Sequence, residues 1–488
     1  MIELNEPAPS SPARSRQDVF AFITPLVLAA CALLSAWLYF WARDLHRFTQ
    51  GIAAYISLFI GQFAIYLLAC YMVFRRREAP SPKVKFITIT IVIFFAIFFR
   101  AELVAQRPYL STDIYRYLWD GRVQAAGINP YLYVPNAEEL KSLRDDKVFP
   151  LINRGDYEPT PYPPAAQAIF LAVHKISPSS VAAFKSAMSL FDLITMLAVM
   201  LTLARMGIDM ARVILFAWHP LLIFESAHTG HIESPFIAFL ALALLAWAYR
   251  RPALAGAAIG LATMVKLYPM LVLPVFFFSA EGEEKKSSFL SRLRGVAFSK
   301  KNLLLVASFA ATIVICYLPY LGIGLGVVSS LPGEVREEGF IESGERYFLL
   351  GLLRVIAPVP TSVFLLFAAI ALAGFGLRLM IKAKRDAADA ARGVAFLIGL
   401  YLLVTSPRYH WYYAWIIPFL CFAPRLEWIY LSGAAVLLYV LWYIPNVYPE
   451  MPLWLGAALY CPTLLLLGWS WRKEKTAKEP FALSSTPR

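Results

Sequence analysis

The chain has 488 residues, 59% of them hydrophobic and 16% charged, with a mean hydropathy of +0.60. A soluble core cannot absorb that much apolar sequence in long unbroken runs, so the composition excludes a soluble globular protein and selects a polytopic membrane protein. The formal net charge of +13 then reports topology and attraction to anionic lipid head groups, and excludes a nucleic-acid footprint.

Residues 1–18 are a polar N-terminal segment, MIELNEPAPSSPARSRQD. The apolar run after it lacks a small-residue cleavage site and reads as a retained helix. Runs at 19–41, 51–74 and 86–105 form a first group of transmembrane helices (19–105), each close to the ~20 apolar residues that span hydrocarbon. Further runs of that kind lie at 181–204, 232–249, 303–322, 361–381, 428–444 and 452–471. Shorter runs at 212–226, 253–280 and 394–423 add short, tilted or paired helices, for an expected total of about 13. The expected fold class is an all-α integral membrane protein: a polytopic helix bundle with a long external loop that bears interfacial helices. Its segments are the loop 106–180, a transmembrane core 181–280, a mixed-charge linker 281–301, C-terminal helices 302–471 interrupted by a polar loop 324–346, and a tail 472–488.

Charge asymmetry supplies the orientation. Arg75, Arg76, Arg77, Lys83 and Lys85 share one loop; Lys285, Lys286, Arg292, Arg294, Lys300 and Lys301 share another; Arg378, Lys382, Lys384, Arg385 and Arg392 a third; and Arg472, Lys473, Lys475 and Lys478 sit in the tail. The positive-inside rule assigns these and both termini to the cytoplasm. Loop 106–180, HTGHIES (228–234), loop 324–346, SPRYHWYY (406–413) and IPNVYPE (444–450) then share the external face. All five cysteines fall inside predicted helices, which argues against a disulfide framework or a thiolate metal site.

Loop 106–180 is far longer than a bundle connection and is therefore expected to be functional or separately folded. Within TDIYRYLWDGRVQAAGINPYLYVP (112–135), Ser111 or Thr112 caps a helix to about Ala126, ended by Gly127 and Asn129-Pro130. A second helix, 164–175, is too short to span under the charge-derived topology and is expected in the interface. Asp113, Arg116, Tyr117 and Asp120 fall at i, i+3, i+4 and i+7 and share one face. Arg116 in that position can bridge both carboxylates and keep them ionised, which suits a general base towards a hydroxyl. The alternative is an interfacial helix laced by surface ion pairs. Tyr115, Tyr117, Trp119, Tyr131 and Tyr133 offer flat amphipathic faces to sugar rings or head groups.

His228, His231 and Glu233 form H-x-x-H-x-E, with Glu225 just before it. Imidazole and carboxylate suit a divalent metal, hydrogen bonds to a polyol, or helix-end capping, and the spacing matches no strong metal signature. Lys266 lies in apolar sequence, where an ammonium costs about 2.5–3.5 kcal/mol, so it should face a cavity and meet an anion, or else snorkel. Arg408 and His410 stand beside aromatics, as membrane anchors or as part of a ring of donors around a phosphate with Arg116, Arg122 and Lys266. Asp192 is a further intramembrane acid, with Lys185 or Ser189 as expected partners.

D-I-Y-R-Y-L-W-D-G-R, G-I-N-P-Y, Y-P-P at 162–164, G-H-I-E-S, V-K-L-Y-P and H-W-Y-Y-A-W, in that order, resemble the polyprenol-phosphate-sugar-dependent glycosyltransferases of the GT-C superfamily, in particular the bacterial mannosyltransferase-like family 87 and its relatives. The resemblance runs from about residue 86 to about 420. It implies inverting sugar transfer, with mannose as the expected sugar, from a polyprenyl-monophosphate donor to a lipid-linked or glycan acceptor at the external face of a bacterial inner membrane. It also implies that Asp113, matching the acidic residue of the first large external loop, is the catalytic base. The expected substrate-binding residues are Arg116, Tyr117, Asp120, Arg122, Asn129, Tyr131, His228, His231, Glu233, Lys266, Tyr268, Arg408 and His410. No metal or cofactor is expected to be required, with Mg or Mn on His228, His231 and Glu233 as the alternative. The chain departs from the family in two helices ahead of the loop and in Glu233, where relatives often carry aspartate. The rival readings are a lipid or solute transporter or flippase, and a non-catalytic scaffold of envelope assembly. Paired repeats, usual in transporters, are missing from this sequence.

Overall fold

The computed structural model describes residues 12–42, 45, 51–75, 81–279, 288–328, 346–382, 384, 386–442 and 451–476. The expectations for residues 1–11, for most of the 324–346 loop, for IPNVYPE, for Arg76, Arg77, Lys285, Lys286 and Arg385, and for the tail beyond 476 lie outside the described residues.

Every element among the described residues is helical. Eight helices are long and apolar enough to cross a membrane, or nine if the bent pair Met210–Ala217 and Pro220–His228 is one span. Glu233–Ala248, Pro252–Val265 and Leu426–Leu441 are shorter apolar helices. Two of the runs counted towards 13 break up. Pro252–Val265 gives way to a 3-10 stretch, Tyr268–Phe276, that contains Pro269 and Pro274. Ala387–Thr405 ends at Ser406, whose φ of 43° leaves the helix, before a 3-10 turn at His410–Ile416. Proline removes a backbone donor and a left-handed residue turns the chain, so apolar length alone overstates the continuous helix.

Two long helices of the bundle begin on explicit caps. Ser81 accepts a hydrogen bond from Val84 N at 3.4 Å and Pro82 occupies the first turn of Pro82–Val104, where a missing N–H costs nothing. Ser180 accepts from Ala183 N at 3.2 Å at the start of Val181–Arg205.

Inside the bundle these two helices meet through an ion pair, Arg100 Nε to Asp192 Oδ2 at 2.8 Å, with the side chains 2% and 0% exposed. This corrects the expected partners of Asp192. Lys185 is two helical turns away, about 10 Å of rise, and its ammonium instead donates to the carbonyls of Leu103 (2.9 Å) and Gln106 (2.5 Å) at the end of Pro82–Val104. Ser189 makes no hydrogen bond to Asp192 either. Arg100 Nη1 donates to Ala96 O at 3.0 Å and to Ala217 O at 2.9 Å. Ala217 ends the first half of the bent pair, which turns by 62° before Pro220. Trp218 Nε1 donates to Val92 O at 2.9 Å, and His219 Nδ1 accepts from Leu221 N at 3.2 Å. Hydrocarbon supplies no water to such a break, so these side chains take its place.

Loop 106–180 holds the two helices expected of it, Asp113–Ala125 and Pro164–Ile176, and between them short 3-10 turns at Glu138–Leu143 and Phe149–Leu151. The two helices pack closely at Gly121, where an added Cβ would lie 2.6 Å from Phe170 O. The glycine of D-G-R is thus a packing requirement.

Asp192→Leu strands the Arg100 guanidinium and should cost about 3–5 kcal/mol. Thermal unfolding in detergent of this variant, of Arg100→Leu and of the double variant should give a double-mutant penalty smaller than the sum of the single ones; strict additivity would mean that the pair is uncoupled.

Candidate active site

Asp113 is the first residue of its helix. Asn153 Nδ2 donates to its Oδ1 at 2.6 Å, and its own backbone N–H donates to Ser111 Oγ at 3.2 Å. His231 Nε2 lies 3.6 Å from Asp113 Oδ2, an ion pair, and 3.2 Å from Ser111 Oγ. The Asp113 side chain keeps 19% of its surface exposed. Burial works to raise its pKa, but His231, then Arg154 and Asn153, outweigh it and hold the carboxyl below its ordinary value. Asp113 is therefore an ionised, oriented and accessible carboxylate at neutral pH.

His231 owes its place to a short backbone device. The turn Phe224–His228 is a wide π turn, and Gly230 follows with φ +73°. A Cβ at Gly230 would sit 2.7 Å from Ile114 Cδ1, so this position favours glycine on both backbone and packing grounds. The chain then folds back, His231 N donating to Glu225 O at 2.8 Å. His231 Nδ1 reaches Glu225 Oε2 at 2.5 Å, and the ring lies on Trp411 with centroids 4.1 Å apart. Glu225 Oε1 is 2.5 Å from His410 Nε2, whose ring covers Tyr439 at 3.9 Å. Thr229 Oγ1 adds a bond to Glu225 Oε2 at 3.1 Å. The result is a chain of alternating acid and imidazole, Asp113, His231, Glu225 and His410, the last three almost wholly buried. For His231, burial alone would lower the pKa, but Glu225 and Asp113 raise it to about 10. It is an imidazolium at neutral pH.

The remaining predicted residues divide by environment. Arg116 holds Asp120 (3.0 Å) and donates to the carbonyls of Glu158 (3.0 Å) and Asn153 (3.4 Å). It does not bridge to Asp113, a correction: the guanidinium is drawn along the helix to i+4 and into the loop carbonyls. Asp120 also accepts from Gln167 Nε2 at 3.1 Å and is buried, which leaves Asp113 as the accessible acid of this face. Tyr117 is buried against Tyr162, Phe170 and Phe184. Arg122 pairs with Asp145 and donates to Leu143 O and Ser179 Oγ, fastening the loop. Asn129 Oδ1 accepts from Tyr131 N at 3.1 Å, a local turn, and Tyr131 Oη donates to Tyr162 O at 2.8 Å.

Glu233 pairs with Lys266, whose ammonium lies 4.7 Å from the Tyr412 ring and 5.8 Å from that of Trp415. Tyr268 packs on Tyr401, Tyr412 and Trp415. Arg408 is buried. His228 is fully buried, meets the Tyr109 ring edge-on at 4.2 Å, and neither ring nitrogen has a hydrogen-bond partner among the described residues. His228, His231 and Glu233 thus turn to three different neighbours, and among the described residues no three acidic, histidine or cysteine side chains converge as metal ligands. The central residue that the sequence left out of the site is Glu225. Its signal was available, an acid inside the apolar run 212–226. Asn153 carries no comparable signal.

The raised pKa of His231 makes stability depend on pH with a definite sign. Its contribution is complete below about 6.5, the unfolded value, and is lost as pH rises through about 10. The lowered pKa of Asp113 contributes above its unfolded value of 3.8 and is lost on acidification below it. The difference in melting temperature between wild type and His231→Gln should therefore shrink steadily from pH 6.5 to pH 10. A constant difference would show that His231 is neutral when folded.

A family model described as alpha-(1->6)-mannopyranosyltransferase, N-terminal domain, matches residues 17–280. The model of glycosyltransferase family 87 matches residues 160–407. No curated protein and no solved structure matches the chain. The first match includes Asp113, Glu225, His231, Glu233 and Lys266, and the second includes the last four. Both matches favour an enzyme over a transporter. The chain belongs to glycosyltransferase family 87 and, over its first half, to the alpha-(1->6)-mannopyranosyltransferase family, and is an integral membrane glycosyltransferase.

Proposed function

We propose that the protein transfers mannose, with inversion, from a polyprenyl-monophosphate donor to a lipid-linked or glycan acceptor at the external face of a bacterial inner membrane, with Asp113 as general base. The observation that carries this reading is the state of Asp113: ionised, part-exposed, and held by Asn153 and His231 at the junction of loop and bundle. In the reaction the acceptor hydroxyl gives its proton to Asp113 while its oxygen attacks the anomeric carbon. The bond from that carbon to the phosphate oxygen breaks, and polyprenyl phosphate leaves with the electron pair. His231, charged by its two carboxylates, keeps Asp113 ionised between turnovers. A base of low pKa still serves, because the hydroxyl becomes acidic as the new bond forms.

Charge growing on the departing phosphate calls for fixed cations. Lys266 is the candidate with capacity to spare, since an ammonium has three donors and Glu233 Oε1 takes one. Arg408 and His410 lie on the same segment as the aromatics around it. With cations supplied by side chains, the proposed reaction needs no divalent ion.

Asp113→Asn should lower turnover by ~10²-fold or more while donor binding changes little, assayed on purified protein with polyprenyl-phosphate mannose. Near-normal turnover would remove Asp113 from the mechanism. In the same assay wild-type activity should survive excess EDTA; loss restored by Mg²⁺ or Mn²⁺ would demand a metal.

Lys266→Met removes a charge-assisted contact worth roughly 1.5–3 kcal/mol, so affinity for the lipid donor should fall about tenfold or more. Unchanged affinity and turnover would leave Lys266 a structural partner of Glu233.

A further inference from the structure

At the end of the bundle opposite Asp113 lies a cavity of about 410 Å³, lined by Arg205, Trp247, Arg250, Phe278, Lys301, Lys384 and Asp386 among others. Chain direction places it there. Val181–Arg205 and Glu233–Ala248 start beside the site and end at the cavity, while Ala387–Thr405 starts at the cavity and ends near Arg408. The Glu233–Ala248 helix alone separates the two by about 24 Å of rise.

Among the described residues the lining carries four cationic side chains and one acid, Asp386, whose Oδ1 accepts from Asp389 N at 3.0 Å as the cap of Ala387–Thr405; Arg205 lies over the Tyr249 ring, and Arg250 and Lys301 have contacts of their own. Trp247 supplies a second, independent observation. Its residue is 9% exposed, and Nε1, a donor only, has no acceptor. The indole is stacked on Phe278 with centroids 5.5 Å apart and planes 17° apart, which favours the orientation it holds. Lys384 is largely buried, donates to Phe277 O at 3.1 Å, and is depressed to about 8 by burial and then by Lys382. An acceptor-rich anion would satisfy the indole N–H and stabilise that ammonium together. The volume suits a small polar head group. Lys300–Gly324, which contributes Lys301, packs one face closely on Pro252–Val265 at Gly256 and Gly260, and most of its residues lie outside the protein interior, free to meet lipid.

We propose that this cavity is a second ligand site, which binds the phosphate of an anionic lipid head group, or free phosphate, through Trp247, Lys384 and the arginines around them. Phosphate oxygens accept from the indole and from ammonium and guanidinium donors, and basic pockets between membrane helices hold such head groups. The site is separate from sugar transfer and stands whether or not the proposed donor is correct.

The test uses the full chain in neutral detergent, titrated with phosphatidylglycerol in mixed micelles, with phosphatidylcholine, and with inorganic phosphate. Thermal unfolding and native mass spectrometry are the readouts. Phosphatidylglycerol should raise the melting temperature and stay bound, whereas phosphatidylcholine should do neither. Arg205→Gln with Lys384→Gln should weaken phosphatidylglycerol about tenfold or more. Trp247→Phe, which keeps the stack on Phe278 and deletes only the N–H, should weaken it about threefold or more, and decides the question alone if the double variant does not fold. Protection by the lipid but not by phosphate assigns the site to a head group; protection by phosphate, alone or as well, assigns it to the phosphate group itself. No protection by either, or protection undiminished in the folded variants, overturns the proposal.

Discussion

A charge or an unsatisfied backbone group in hydrocarbon must find its partner within the protein, and this constraint organises the bundle. Arg100 meets it three times, joining Asp192 on one helix and the carbonyl at the break of the bent pair on another to its own Ala96 O. Lys185 meets it with two helix-end carbonyls, and Arg425 holds the wholly buried Glu427 at 2.6 Å. Such pairs add little net stability over apolar packing, because desolvation offsets most of the attraction. Their effect is on register. Arg100 can meet Asp192 and Ala217 together only if three segments sit at one depth.

That register places the candidate active site. The bent pair, fixed at its break by Arg100, Trp218 and His219, delivers Glu225 and the turn with His231 to the level of loop 106–180. Asp113 arrives from the loop, and His410 from a late segment. The order of charges is then set by proximity at low dielectric: an imidazolium between two carboxylates, and a carboxylate between two imidazoles. Under the proposed reaction such an arrangement keeps the base ionised and meets the leaving charge without waiting for water to reorganise. The family matches span the residues of the candidate site, and the contacts among those residues account for the ionisation of Asp113, so the two observations bear on the same site in different ways.

Some of this was legible in the chain. The loop helix was expected from Ser111 or Thr112 to about Ala126 and runs Asp113–Ala125; the second was expected over 164–175 and runs Pro164–Ile176. Glycine and proline are local signals, and the helices stop before Gly127 and start at Pro163-Pro164; Thr112 makes no side-chain cap, while Ser111 Oγ accepts from Asp113 N. The shared face of Asp113, Arg116, Tyr117 and Asp120 followed from helical spacing, yet spacing did not say which acid Arg116 would take. Against the expected count of about 13, short and paired helices included, the described residues hold eight or nine helices of full length and three shorter apolar ones, and Pro269 and Ser406 interrupt apolar runs that a hydropathy reading joins. Lys266 was expected to meet an anion; Glu233 could not be singled out, since the two are apart in sequence.

By itself the sequence determined that the protein lies in a membrane, where its long loop falls, and which residue types are too polar for their surroundings and so must have partners. Hydropathy, charge and capping are properties of short stretches, and a reader of the chain sees them directly. The tertiary structure alone decided who the partners are: Arg100 for Asp192, Glu225 for His231 and His410, Glu233 for Lys266, Asn153 for Asp113. Partner choice at low dielectric depends on distances of a few ångströms between residues far apart in the chain, and those distances exist only once the helices have packed.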